Sequence, residues 1–593
     1  MKNGLDFLTR NLVALRSKYF SDRNFLIISA IIVGIAAGLA SVLLKLTVHF
    51  IQKQLVIVLQ HKDYSFLFYF FPLAGILLTV LFVQKIRKGK LGRGIGNIMY
   101  SISRRSGNIP ADNTYTHLIT SAVTVGFGGS VGLEAPIVVT GSALGSNIAR
   151  IFLLSHKERI ILIACGAAAG ISAVFNTPVA GVLFAMEVLL SEFSIPTFIP
   201  VLIAAASAAV ISTLLYKEHL FFLITRGWRM DAIPFYLMLG VLCGLVSVYF
   251  MRMYSLSEKR FAASKSVYRK AIAGGLLLGL FIFILPPLYG EGYVNIEQLF
   301  QGQYNDLYQH SFFHSLADRK YTLLFFALGL VLLKIFATAV TIGAGGNGGI
   351  FAPTLFTGAI TGFGFAHFFN TTQLKELVTV NFIAAGMAGI LSGVVHAPLT
   401  AIFLIAEVTG GYTLFVPLMI VSAISYFITR AIEPYSIYTG KLAEKGIILD
   451  DKQAVLLRNI NLADIIETDQ SILKKDQPLR AVVEAFSQSN RNIFPVLNNR
   501  NEIEGIIYID DIKSYLFKPE VYDKIKVREL MTKPGYKIFA GDEMTTVMKK
   551  FDHADAWYLP VNDEQQKFIG FADKRKLLNL LREGLTAHQL KID

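Results

Sequence analysis

The stretch Gly132-Leu133-Glu134-Ala135-Pro136 decides how this chain is read. It places an acidic residue inside a long apolar, glycine-rich segment. A carboxylate at membrane depth is costly and marks, by default, an ion or proton path. The glycine beside it allows backbone N–H groups to approach a ligand closely. The proline two residues later suits the first turn of a helix. Together these features describe an anion site at a helix N-terminus, with Glu134 placed to compete for it.

The surroundings of this stretch are those of a membrane protein. Of 593 residues, 53% are hydrophobic and 17% charged, and the mean hydropathy is +0.52. Soluble globular chains carry about 25% charged residues. Apolar runs such as 25–51, 321–342 and 414–432 reach or approach bilayer-spanning length, so a polytopic helical protein is expected. Lys2, Arg10, Arg16, Lys18 and Arg23 before the first run suggest a cytoplasmic N-terminus by the positive-inside rule. No cleavable signal peptide is expected, because that first run is too long and no small-residue cleavage site follows it. The net charge of +14 is carried largely in loops such as 85–90, where basic residues face anionic lipid rather than nucleic acid. Cys165 and Cys243 both lie in apolar segments. They are expected to be small buried residues, with no disulfide and no metal site.

Composition changes sharply near residue 445. We expect a membrane domain over 1–447 and a soluble α/β tail over 448–593. The first contains an internal repeat, with halves at about 25–215 and 235–432. Gly166, Ala168, Ser172, Val174, Pro178, Glu187 and Val188 recur as Gly386, Ala388, Ser392, Val394, Pro398, Glu407 and Val408, each pair 220 positions apart, as Gly166 is from Gly386. Gly132…Pro136 is echoed by Gly349…Pro353. Repeated halves with interrupted helices at matching places are the pattern of many transporters, whose substrate site lies between the halves. The tail repeats as well, at about 459–517 and 527–583. Phe494-Pro495-Val496-Leu497 and Tyr558-Leu559-Pro560-Val561 open two copies of strand, turn, strand and amphipathic helix. The helices are expected at 512–517 and 576–581.

These features resemble the CLC family of chloride channels and anion/proton antiporters, followed by a tandem pair of CBS domains. The motifs are Gly132-Leu133-Glu134-Ala135-Pro136, Gly349-Ile350-Phe351-Ala352-Pro353, Ala173-Val174-Phe175-Asn176-Thr177-Pro178 leading to Glu187, and an altered first motif, Gly92-Arg93-Gly94-Ile95-Gly96. The resemblance implies an all-α membrane domain of two inverted halves, a homodimer, and one anion path per subunit. It places an external chloride site at the N–H groups of Leu133, Glu134, Ala135, Ile350, Phe351 and Ala352. A central site shares Ile350 and Phe351 and adds the Tyr438 hydroxyl, and the Gly94-Ile95 run supplies a third helix end. Such ends hold an anion through unpaired N–H groups and the helix dipole, without full positive charge. Glu134 is the expected gate: it imitates an anion when ionised and vacates the site when protonated or swung aside.

Several positions depart from the family pattern. Val188 stands where many antiporters of the family carry a second, proton-passing glutamate, which favours a channel. Obligatory proton exchange is the alternative. Glu187 and Glu407 are expected to bond to backbone groups. Arg93 replaces a serine or proline. Either its planar fork admits planar oxyanions such as nitrate or bicarbonate, or it gathers anions from the cytoplasmic vestibule. Gly96 replaces a proline, Leu133 a basic residue and Ala135 a glycine.

The tail resembles domains that often bind adenine nucleotides. The matching aspartates are Asp510, Asp511 and Asp573, without an evident hydroxyl partner. A cytoplasmic dimer contact that stiffens a last helix around 434–445, which carries Tyr438, is the stronger expectation. A magnesium-type cation transporter is disfavoured, since intramembrane acids are few. An enzyme is disfavoured too, since no ligand cluster or nucleophile–base pair appears. The reading that emerges is an anion channel in the plasma (inner) membrane, with its N-terminus and tail cytoplasmic.

Overall fold

A computed structural model describes the chain apart from residues 1–20, 60–61, 90, 93, 191–194, 217–226, 265, 309–310, 312–320, 445–456, 458–459, 469, 490, 555 and 591–593. Lys2, Arg10, Arg16, Lys18 and Arg93 therefore lie outside the described residues. The chain divides into two compact units, Met1–Ile447 and Ile448–Asp593.

The first unit is helical. Among its described residues, eight helices are long and apolar enough to cross a membrane. In its first half run α1 (Asp22–Leu59), α2 (Phe71–Arg87), α3 (Gly96–Arg104), α4 (Asn113–Gly126), α5 (Glu134–Ile151), α6 (His156–Phe175), α7 (Pro178–Phe184) and α8 (Ile195–Leu215). The second half holds α9 (Ile233–Ala263), α10 (Val267–Ile284), α11 (Tyr293–Phe300), α12 (Thr322–Ala344), α13 (Phe351–Thr372), α14 (Thr379–Val395), α15 (Pro398–Val408) and α16 (Phe415–Ile432). The short α17 (Gly440–Glu444) follows.

The sequence repeat is a repeat of packing. In the first half α1 lies on α8, α5 on α6 and α6 on α8; in the second, α9 lies on α16, α13 on α14 and α14 on α16. Each half has one glycine-to-glycine crossing. A Cβ on Gly141 or Gly166 would run into the other's backbone carbonyl, and the same holds for Gly358 and Gly386. Without side chains at the crossing the helix backbones touch, the close approach that small residues allow in membranes. Helices α6 and α14 both end on a left-handed residue, Asn176 (φ 59°) and His396 (φ 60°). Helices α7 and α15 then both begin with proline, whose missing N–H costs nothing at a first turn. Helices α5, α6, α13 and α14 are buried along most of their length, as expected of helices apolar on every side. Cys165 and Cys243 are buried free thiols.

The second unit is α/β. Strands β2 (Ile493–Leu497) and β3 (Ile503–Tyr508) form one antiparallel hairpin, with Phe494 opposite Ile507 and Val496 opposite Gly505. Strands β5 (Tyr558–Asn562) and β6 (Phe568–Asp573) form its counterpart, with Leu559 opposite Ala572 and Val561 opposite Gly570. Both hairpins carry an irregularity at the same step, after Val496 and after Val561. The copies are interleaved. The first copy supplies β1 (Ile466–Glu467), which pairs with β6 of the second, and β4 (Ile538–Phe539) pairs in parallel with β5. Phe571 of the second copy packs into a cluster of Ile493, Leu497, Ile503 and Ile506 from the first.

Three expected helices differ. The helix expected at 512–517 occupies Ile509–Ile512 instead. Beyond it the chain makes turns, with Tyr515 N–H to Ile512 O and Lys518 N–H to Tyr515 O, and Pro519 disfavours a helical Lys518. The helix expected around 434–445 forms only over Gly440–Glu444. Before it, the Ser436 hydroxyl accepts the Thr439 N–H at 3.3 Å, a side-chain turn of the kind that competes with helix. Tyr438 thus sits on a turn, not on a helix. The second tail helix runs over Lys574–Leu590, longer than expected.

Candidate functional site

The two glycine runs meet. Gly132 N–H donates to Gly349 O at 2.9 Å, and Gly349 N–H donates to Gly132 O at 2.7 Å. This antiparallel bridge joins repeat-equivalent residues. Neither position tolerates a side chain. A Cβ on Gly132 would lie 2.8 Å from the Ala352 Cβ, and one on Gly349 2.8 Å from the Ala135 Cβ. Immediately after the bridge, α5 starts at Glu134 and α13 at Phe351. Two helix N-termini therefore begin beside one another, with their first-turn N–H groups lacking intrahelical acceptors. Leu133, Glu134, Ala135, Ile350, Phe351 and Ala352 are all buried there.

The Glu134 side chain is 1% exposed. Its Oε1 accepts a short hydrogen bond from the Tyr293 hydroxyl. Oε2 has no hydrogen-bond partner of normal geometry; the N–H groups of Glu134 and Ala352 act on the carboxylate at longer range. An aromatic group backs the site: the Phe175 ring lies 6.2 Å from that of Tyr293 and 5.7 Å from that of Phe351. The Tyr438 hydroxyl is buried without a hydrogen-bond partner and lies within electrostatic reach of Glu134. An orphaned buried hydroxyl is costly, and a donor left unmatched here is what an anion would satisfy. Gly94 (φ 77°) and Ile95 lead into α3. A Cβ on Gly96 would lie 3.1 Å from the Tyr438 carbonyl oxygen, so glycine here lets the α3 start close against the tyrosine turn.

Glu187 and Glu407 are bound reciprocally across the repeat. Glu187 accepts the N–H of Leu399 at 3.0 Å and of Thr400 at 2.7 Å, at the start of α15. Glu407 accepts the N–H of Val179 at 3.1 Å and of Ala180 at 2.8 Å, at the start of α7. Each carboxylate caps the other half's helix, where an anion is favoured by the dipole. Val188 is buried on a π-helical turn, Ala185–Leu189, that continues α7.

Sequence reading passed over Lys45, Glu291, Tyr293 and Lys334. Glu291 Oε1 accepts the Leu133 N–H at 3.1 Å. Lys334, fully buried, donates to Gly290 O at 2.9 Å and lies over the Phe356 ring. Lys45 donates to Ala173 O at 2.7 Å. The signal was available for the lysines, each an isolated charge in a spanning segment. For Tyr293 there was none.

In the second unit the three aspartates stand at helix starts. Asp511 accepts the Tyr508 N–H at 2.9 Å, and Asp573 accepts the Arg575 N–H at 2.7 Å. Asp510 is exposed and pairs with Lys513. Two of the three carboxylates are thus engaged by their own backbone, and the residues just before Asp573 are Phe571 and Ala572.

Comparison with known proteins agrees with this architecture. A family profile described as voltage gated chloride channel matches residues 75–430, and a CBS domain profile matches residues 462–518. A putative chloride channel protein ClcB-like of Ralstonia nicotianae is 29% identical over 388 residues, covering 63% of this chain and 84% of that protein. The chloride channel protein CLC-e of Arabidopsis thaliana is 30% identical over 384 residues, covering 60% of this chain and 51% of that protein. Among solved structures, a slow cyanobacterial Cl−/H+ antiporter superposes with a TM-score of 0.62 at 23% identity, over 73% of this chain and 99% of that one. A eukaryotic CLC transporter gives 0.60 at 18% identity, over 94% of this chain and 99% of that one; at such identities the likeness is one of fold. Two glycine runs bridged between repeated halves, a buried glutamate at the paired helix starts and a profile match over most of the first unit have one reading: this chain is an integral membrane protein of the CLC chloride channel and antiporter family, carrying CBS domains in its tail.

Proposed function

We propose that this chain is a chloride channel in which Glu134 gates a path between the N-termini of α5 and α13. The observation that carries the reading is the buried Glu134 carboxylate at the bridged helix starts, held by Tyr293. A tethered carboxylate in that place competes with a free anion for the same N–H groups, and binding by dipoles rather than full charges leaves the anion free to depart. The external site is formed by Leu133, Glu134, Ala135, Ile350, Phe351 and Ala352. Further in, Ile350, Phe351 and the Tyr438 hydroxyl hold a second anion, with Gly94 and Ile95 at the inner helix end. Val188 offers no proton carrier on the inner side, which favours passive conduction. The protein works as a homodimer in the inner membrane, with the tail in the cytoplasm.

Proton-coupled exchange is the second reading. Two proteins of similar structure are a Cl−/H+ and a fluoride/proton antiporter, and Glu134 and Glu291 put two carboxylates within electrostatic reach of each other at one end of the path. Reversal potential under a pH gradient, with purified protein in planar bilayers or liposomes, separates the two. A channel follows the chloride gradient alone; a reversal potential that moves with the pH gradient refutes the channel reading. Arg93 is tested in the same system. Arg93→Ser is expected to weaken nitrate and bicarbonate relative to chloride, and an unchanged ranking removes the oxyanion preference.

A further inference from the structure

The segment Gly290-Glu291-Gly292 reaches the same two helix starts from the second half. Gly290 (φ 64°) and Gly292 (φ 93°) bracket the glutamate in left-handed conformations that an ordinary residue adopts only with strain. The segment is pinned on both sides. Gly290 N–H donates to Gly128 O at 3.0 Å, and Gly290 O accepts the Lys334 ammonium at 2.9 Å. A Cβ on Gly292 would lie 2.5 Å from the Phe356 ring. The pinned segment delivers two side chains to consecutive residues of the path: Glu291 to the Leu133 N–H at 3.1 Å, and Tyr293 to the Glu134 carboxylate. Lys334, Lys45, Glu134 and Tyr293 are the ionisable groups within electrostatic reach of Glu291.

An N–H group carries one hydrogen. While Glu291 takes that of Leu133, no free anion can. An ionised carboxylate makes the stronger, charge-assisted kind of bond to an N–H, so Glu291 in that form is a competitor of substance and not a bystander. We propose that Glu291 is a second tethered anion of this path: its carboxylate occupies the Leu133 N–H at the external site, and a permeating anion must displace it. The path then has two internal competitors of different reach. Glu134 projects from the helix start itself, whereas Glu291 comes from the opposite half on a glycine-bracketed loop. This inference rests on the anion-path reading above.

The test uses full-length protein in liposomes, comparing wild type with Glu291→Gln, Glu291→Ala and Glu291→Asp, and with Glu134→Ala as a control. The initial rate of chloride flux is measured against external chloride. Removal of a competitor is expected to lower the half-saturating chloride about tenfold in Glu291→Ala, the equivalent of about 1.4 kcal/mol. Glu291→Asp, shorter by one methylene, should behave in the same way, and Glu291→Gln should fall between Ala and wild type. Maximal flux should be retained in all three. Half-saturation within about twofold of wild type in Ala and Asp, well under that 1.4 kcal/mol, overturns the proposal. So does loss of flux, or loss of monodisperse protein, in all three variants, which would make Glu291 a strut. Wild type that carries no chloride, or a Glu134→Ala variant with unaltered flux, instead refutes the path reading itself.

Discussion

Removing the carboxylate of Glu187 tests whether the two halves are locked by each other's glutamates. Thr400 is 1% exposed, and both its N–H and its hydroxyl, at 2.7 and 2.6 Å, meet Glu187 Oε2. In Glu187→Ala the Thr400 N–H is left without an acceptor, at about 1–3 kcal/mol for a buried donor. The Thr400 hydroxyl recovers by turning to a carbonyl of its own helix. The Leu399 N–H belongs to a residue 47% exposed and contributes less. Loss of the favourable charge at the α15 N-terminus adds about 0.3–1 kcal/mol. The expected cost is therefore about 1–4 kcal/mol. Glu407→Ala should cost a similar amount, because Ala180 is as buried as Thr400 and its N–H likewise loses its acceptor. The assay is the midpoint of heat-induced loss of the monodisperse peak in detergent. Both Ala variants should fall below wild type, with Glu187→Gln intermediate because it retains one acceptor oxygen. Midpoints for Glu187→Ala and Glu407→Ala equal to that of wild type would refute the reciprocal-lock argument.

Three further outcomes are expected. Glu134→Gln should flatten the dependence of chloride flux on external pH, since it removes the charge that competes at the helix starts; flux in vesicles over an external pH series checks this, and a wild-type profile refutes it. Gly349→Ala should cost about 1–3 kcal/mol by overpacking, because its Cβ would lie 2.8 Å from the Ala135 Cβ and 3.0 Å from the Ala135 nitrogen; yield, thermal midpoint and flux should all fall. In the tail, burial pushes the Glu467 carboxyl up, but its bonds to Arg491 and Lys576 outweigh this and hold it below the ordinary value of 4.5. A depressed folded-state value stabilises the fold above 4.5 and loses that contribution as pH falls through the depressed value. Glu467→Gln should therefore lower the thermal midpoint at pH 7, with the difference from wild type shrinking as the medium is acidified below pH 4.5.

What could be read from the sequence depended on how far apart the partners lie along the chain. The glycine motifs and the repeat are contiguous or regularly spaced, so Glu134, the starts of α5 and α13, and the pairing of Glu187 with Glu407 follow from counting. The hairpins of the tail were legible in the same way, because their strands are adjacent. Contacts between distant segments were not. Tyr293 lies 159 positions from Glu134 and Glu291 lies 158 from Leu133, and no local pattern announces that a glycine-bracketed loop will fold onto a helix start. The turn at Tyr438 was lost for a related reason: a serine hydroxyl bonded to the backbone outcompeted a helix that the apolar pattern permitted. The backbone bonds of Asp511 and Asp573 could not be read either, because an aspartate that bonds its own backbone looks the same in sequence as one that does not.

The bridge between Gly132 and Gly349 also has a consequence for time. Its two hydrogen bonds tie the backbones of both halves at one point, so neither helix start can shift without dragging the other. Collective motions of that kind take microseconds to milliseconds, whereas side chains rotate on far shorter timescales where they are unhindered. What remains mobile at the crossing is the rotation of Glu134 and the hydroxyl that holds it. For the gate proposed above, opening would then be a local rearrangement of side chains, in which Glu134 leaves Tyr293 and Glu291 leaves the Leu133 N–H while the backbone bridge stands still.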